Sequence, residues 1–149
     1  MKEVEIIPDL WIGSYSTSSI GNFRDENQIS CLVNCSKDLH FIGKYKEYNM
    51  PIRNNIEKYE ILKMYQYLLE VTEFIYQNLL NQQAVLILCE DGIQKSPTVA
   101  VAYLMRYGRL PQEVAIKSVK SKKNDVFKPT LNFKYALDKF ENDISNKKI

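Results

Sequence analysis

The chain has 149 residues, enough for one compact domain that hides about two thirds of the surface its unfolded form exposes. Apolar residues at 45% and charged residues at 26% exclude a disordered or collagen-like chain. A net charge of +2, from 20 basic against 18 acidic residues, excludes a bulk electrostatic preference for nucleic acid or a membrane surface. The longest apolar run, Val99 to Met105, falls far short of the ~20 residues a bilayer span needs, and Lys2, Glu3 and Glu5 break up any apolar signal core. Cys31, Cys35 and Cys89 are an odd count without framework spacing, which fits a reducing compartment. The expectation is an intracellular, cytoplasmic protein, with the nucleus left open. Four residues of strand hold Cys31 and Cys35 roughly 13 Å apart, beyond disulfide reach, so both read as packing residues. His40 is the one histidine and no second cysteine pair exists, so neither a metal nor any other cofactor is expected.

Val4 to Ile7 and Leu10 to Ile12 are β-prone runs separated by Pro8 and Asp9, which predicts two strand pieces joined at a tight corner. Asn22 to Gln28 reads as a short helix, Ser30 to Cys35 as a buried strand and Tyr48 to Ile52 as a further strand. Ile61, Tyr65, Leu68, Thr72, Ile75 and Leu79 recur at steps of four and three, which places one apolar stripe along a long helix. Ala84 to Leu88 is a continuous aliphatic run of the kind found in a strand covered on both faces. Ser96 and Pro97 start a helix that is apolar nearly all round, and Gly108 ends it. Pro111 and Glu113 open another helix with Val114, Ala115 and Val119, and Pro129 precedes a last amphipathic helix with Leu131, Phe133, Leu137 and Phe140. No repeat, linker or boundary interrupts the chain. The alternation predicts a single α/β domain over residues 1–149, a central mixed sheet flanked by helices.

The turn from Cys89 to Lys95 joins the buried strand to the start of the buried helix, and such a turn can hold an anion. Backbone N–H groups from Glu90, Asp91, Gly92, Ile93, Gln94, Lys95 and Ser96 and the positive end of the helix dipole converge in its concavity. Gly92 permits a backbone conformation closed to other residues. The same field is expected to stabilise a thiolate at Cys89 and lower its pKa from about 8.5. A nucleotide-binding loop of the Walker type is excluded, because no glycine precedes Lys95 and the spaced glycine pair is missing.

These residues resemble the dual-specificity branch of the cysteine-dependent protein phosphatases, whose signature is His-Cys, five residues, Arg, and Ser or Thr. Ile7 to Gly13 is similar to that family's opening strands, Leu32 to Asn34 to its central strand and Ser96 to Met105 to its helix after the loop. Val71 to Ile75 and Asn132-Phe133 fall in the family's order, so the likeness runs over residues 4 to 141. The resemblance implies Cys89 as nucleophile, Gly92 as loop glycine and Ser96 as the hydroxyl that supports the departing thiolate.

Three positions depart from that pattern. Leu88 stands in place of the histidine, and Lys95 in place of the arginine that clamps two phosphate oxygens, keeping the charge but not the planar fork. Counted from Pro51, Asn54 takes the place of the general-acid aspartate; counted from Val71 to Ile75, the position falls nearer Lys58 or Tyr59. Only Glu57 or Glu60 is at hand to replace the acid. Loss of a general acid costs ~10²–10⁴ in rate and loss of one transition-state donor about 10²–10³. The expectation is therefore a pseudophosphatase or severely impaired phosphatase that binds phosphorylated protein or peptide, or acts as a scaffold. The alternative is an active phosphatase on phosphotyrosine, phosphothreonine, phosphoinositide or an RNA 5′ phosphate. Lys117, Lys120, Lys122, Lys123 and Lys128 read as a solvated helix face in preference to a basic patch. Nothing in the sequence fixes an oligomeric state.

Overall fold

In the computed structural model, which describes residues 3–15, 27–39, 45–53 and 57–149, the aliphatic run is the middle strand of a five-stranded sheet. The strands are β1 (Val4–Ile7), β2 (Leu10–Ser14), β3 (Ile29–Asn34), β4 (Lys46–Asn49) and β5 (Ala84–Cys89), in the spatial order β1-β2-β5-β3-β4. β1 runs antiparallel to β2 and every other pairing is parallel, so the sheet is mixed. The tight corner between β1 and β2 turns at Asp9, whose φ is 70°, and its N–H donates to the Glu5 carboxylate at 2.8 Å.

β5 is buried along its whole length because it is covered on both faces. Val85, Ile87 and Cys89 face the main core, while Ala84, Leu86 and Leu88 join Ile29 and Leu32 on the other side, with Trp11 and Tyr45 against them. Ile29 and Leu32 share a face although three residues apart, since the β3–β5 register shifts between Ile29 and Cys31.

The helices are α1 (Lys58–Leu80), α2 (Lys95–Arg106), α3 (Gln112–Lys122) and α4 (Lys134–Ser145), and all four send side chains into the main core. α2 is buried from Lys95 to Met105, as an all-apolar helix must be. Gly108 stops it: a Cβ there would lie 2.5 Å from the Leu104 carbonyl oxygen.

Several elements differ from the sequence reading. β4 covers Lys46–Asn49, earlier than Tyr48 to Ile52, because Met50 and Ile52 bury themselves in the core after the strand has ended. On α1 the buried positions are Glu60, Met64, Leu68, Val71, Thr72, Ile75 and Asn78, so the stripe turns through Met64 and leaves Ile61 and Tyr65 at its margin. Val114 is exposed on α3. Leu131 and Phe133 precede α4 and do not belong to it. Most of the helix expected over Asn22 to Gln28 lies outside the described residues.

Candidate active site

Cys89 ends β5 and α2 begins at Lys95, so the parallel sheet delivers the sulfur to the start of a buried helix. Gly92, at φ 72°, turns the loop back so that its own N–H donates to Cys89 Sγ at 3.2 Å, and the Ser96 N–H donates at 3.4 Å. The Ser96 Oγ stands 3.3 Å from the same sulfur and 3.4 Å from the Gly13 carbonyl oxygen. Ser96 thus sits inside α2, facing the thiol. Gln94 occupies the cap position, with no side-chain cap bond.

Burial pushes the Cys89 thiol above its ordinary pKa, outweighing the pull of the Ser96 hydroxyl and N–H, with Asp91 adding to the rise and Lys95 opposing it. This reverses the lowering expected from the helix end. Cys35, just past β3, donates its N–H to the Leu88 carbonyl at 2.8 Å, and burial, with Cys89 beside it, pushes its thiol well up.

Lys95 is fully buried. Its Nζ lies 2.6 Å from Glu90 Oε1 and donates to the Ile52 carbonyl at 2.6 Å, so the loop's one lysine is held by the residue that follows the cysteine. Asp91 folds its carboxylate onto the loop, where Oδ1 accepts the Ile93 N–H at 3.0 Å and stands 3.8 Å from Cys89 Sγ. Leu88 points to the opposite face of the sheet from Cys89, among the apolar side chains of the smaller cluster.

The loop is strapped from behind by side-chain and backbone contacts that the sequence does not announce, made by residues it reads in other roles. The Gln94 Nε2 donates to Thr130 O at 2.7 Å and Lys128 O at 3.3 Å, and Gln94 Oε1 accepts the Asn132 N–H at 3.1 Å. The Phe127 N–H donates to Ile93 O at 2.8 Å. Lys123, expected on a solvated face, is buried; its Nζ donates to Gly92 O at 3.2 Å and pairs with Asp125 at 2.7 Å. No spacing rule announces these contacts, because their partners lie some thirty residues apart.

Asn54 lies outside the described residues. The segment before it is pinned by α1: the Arg53 N–H donates to Glu60 Oε1 at 2.6 Å, and Lys63 Nζ to Pro51 O at 2.9 Å. Glu60 is buried in that anchoring role, whereas Glu57 is exposed at the start of α1. Among the described residues no cluster of metal-ligating side chains occurs, and no helix is long and apolar enough to cross a membrane.

A cysteine at the end of a central parallel strand, followed by a glycine-turned loop and a buried helix, defines an α/β protein with a thiol held at a strand–loop–helix junction. The model of the dual specificity phosphatase catalytic domain matches residues 10–143, and the chain belongs to that family. Human dual specificity protein phosphatase 1 is 31% identical over 143 residues, covering 95% of this chain and 38% of that protein. Human dual specificity protein phosphatase 4 is 32% identical over 143 residues, 95% of this chain and 35% of its own length. The chain therefore spans little more than a third of these relatives. The fold is also that of a leucine rich repeat and phosphatase domain containing protein from Entamoeba histolytica. That structure aligns with a TM-score of 0.84 at 22% identity, over 99% of this chain and 96% of that one.

Proposed function

We propose that this dual specificity phosphatase-like domain has lost efficient hydrolysis and works by holding phosphorylated protein ligands at the Cys89 loop. One observation carries the reading: the buried Lys95 ammonium is already bound by the Glu90 carboxylate and the Ile52 carbonyl. In an efficient enzyme of this kind a guanidinium grips two phosphate oxygens in flight, and a lysine committed to an internal carboxylate offers neither the fork nor the free charge. The raised Cys89 pKa points the same way, since the thiol is not the attacking form. Glu60, held on the Arg53 N–H, is poorly placed to donate a proton to a leaving group. What survives is the backbone. Apart from the Ile93 N–H, which Asp91 occupies, the N–H groups and helix start do not depend on the side chain at position 95, so a weakened anion site persists. Phosphorylated protein is the ligand favoured by kinship with protein phosphatases.

An active phosphatase is the second reading, favoured by the Gly92 and Ser96 N–H groups and the Ser96 hydroxyl gathered on one sulfur. Turnover of an aryl phosphate, measured beside calorimetric titration of a phosphotyrosine peptide on the wild type and Cys89→Ser, separates the two. The proposal expects turnover orders of magnitude below the ~10 s⁻¹ of a typical enzyme, with peptide binding retained in Cys89→Ser. Ordinary turnover abolished by Cys89→Ser establishes the enzyme instead, and absence of both turnover and binding at low salt leaves an interaction domain whose loop is empty of function.

A further inference from the structure

A groove runs along α4 at the far end of α2 from the Cys89 loop. α2 has 12 residues, so its last turn lies about 18 Å from the loop at 1.5 Å per residue. Three cavities, of about 370, 290 and 470 Å³, share walls there: Pro111 and Glu141 line the first two, and Arg109 and Ile144 line the second and third. Singly they sit at the low end of ligand-pocket size; joined, they suit a peptide.

The two ends carry opposite charge. In the third cavity stand Arg106, Arg109 and Lys147 beside the last residue, Ile149, and among the described residues no carboxylate side chain lines it. Arg106 is spoken for, donating to Leu69 O at 2.8 Å and Thr72 Oγ1 at 3.1 Å and lying 4.8 Å over the Tyr107 ring. The exposed side chains of Arg109 and Lys147 make no ion pair or hydrogen bond with any described residue. The carbonyl ends of α2 and α4 attract these cations only weakly and leave their donors open.

At the opposite end the acceptors are in excess. Glu113 and Glu141 line the first cavity, and its lysine, Lys134, is neutralised by Asp138 at 2.6 Å. Gln112, buried on the same wall, has an unpartnered Oε1. Its amide cannot turn over, because Nε2 donates to the Asp138 carboxylate at 2.9 Å. The Glu113 and Glu141 carboxylates call for a donor-rich cation, Glu141 with one oxygen already accepting the Gln112 N–H at 2.8 Å. Between the ends, Met105, Leu110, Pro111 and Ile144 make an apolar floor.

We propose that this groove docks a segment of a protein partner whose side chains run acidic, apolar, basic, the acidic end on Arg109 and Lys147 and the basic end on Glu113 and Glu141. The occupant leaves the Cys89 loop open, so docking and phosphate capture are compatible on one chain. Arg109, Lys147 and Glu113 are exposed and Glu141 is half-buried, so binding weakens as salt rises.

The test is selection from a displayed library of random short peptides against the wild type and against an Arg109→Glu, Lys147→Glu double variant. Both positions are exposed, so the variant keeps its fold, which circular dichroism checks. Wild type is expected to enrich peptides with acidic residues at one end, apolar residues in the middle and basic residues at the other. The variant should enrich peptides whose acidic end has become basic and should bind the wild-type peptides at least tenfold more weakly. Enrichment by neither protein, or the same peptides from both, overturns the proposal.

Discussion

The Lys95 ammonium lies 2.6 Å from the Glu90 carboxylate, and the two residues flank the loop that Cys89 opens. The lysine is fully buried, while the Glu90 side chain keeps 41% of its exposure, so the pair is anchored at one end and open to water at the other. Breaking it from the glutamate side strands a charge in the core, at a cost of several kcal/mol; breaking it from the lysine side releases a carboxylate to solvent.

Glu90→Gln is therefore expected to lower the melting temperature and to make it responsive to phosphate. An anion entering the loop takes over the lost carboxylate's role, and anything that binds only the folded state stabilises it by mass action. Thermal melts with increasing inorganic phosphate should rise more steeply for the variant than for the wild type. Equal slopes would mean that Lys95 does not sense the loop's anion.

Lys95→Met should keep the fold, because the methionine fills the buried stem and Glu90 reaches water. Phosphopeptide affinity should fall roughly tenfold, because the Glu90 carboxylate, no longer neutralised, repels the phosphate. Calorimetric titration at low salt measures the ratio.

Restoring the family's histidine carries a penalty. Leu88 is wholly buried among Ile29, Leu32, Ala84 and Leu86, on the sheet face away from Cys89. Leu88→His is expected to destabilise by about 1–3 kcal/mol, since the imidazole enters an apolar cluster. A shift of the urea midpoint, at unchanged slope, reads this directly.

The pH dependence of stability has a definite sign. Cys31, Cys35 and Cys89 all have thiol pKa values raised chiefly by burial. The unfolded chain releases these protons from about pH 8.5, while the folded chain still holds them. Stability is thus full below the ordinary thiol pKa and falls as pH rises above it. Denaturant midpoints should drop between pH 8 and pH 10, and Cys89→Ser should make the drop shallower. For the same reason iodoacetamide should modify Cys89 slowly at neutral pH.

Gln94→Ala should loosen the loop from behind. It removes three part-buried hydrogen bonds to residues 128–132, whose backbone groups can turn to water, an expected loss of about 1–2 kcal/mol. Chemical denaturation gives the number, and faster amide exchange at Ile93 and Phe127 would locate it.

Much of this protein is written locally. The run Ala84 to Leu88 declares a doubly covered strand, the Asp9 corner follows from Pro8-Asp9, and Gly92 and Pro97 mark where loop and helix meet; these signals rest on backbone preference and periodicity, which need no distant partner. The family likeness extends that reading to a central mixed sheet flanked by helices, while the strand order itself comes from the tertiary structure. The state of the site is decided elsewhere. Whether Lys95 faces an anion or Glu90, whether Glu60 is an acid or an anchor, and whether Lys123 is solvated or buried under Gly92 depend on which groups meet across the core. Desolvation also sets the Cys89 thiol against the very helix field that the sequence promises, because burial is a property of the packed molecule and no residue carries it alone.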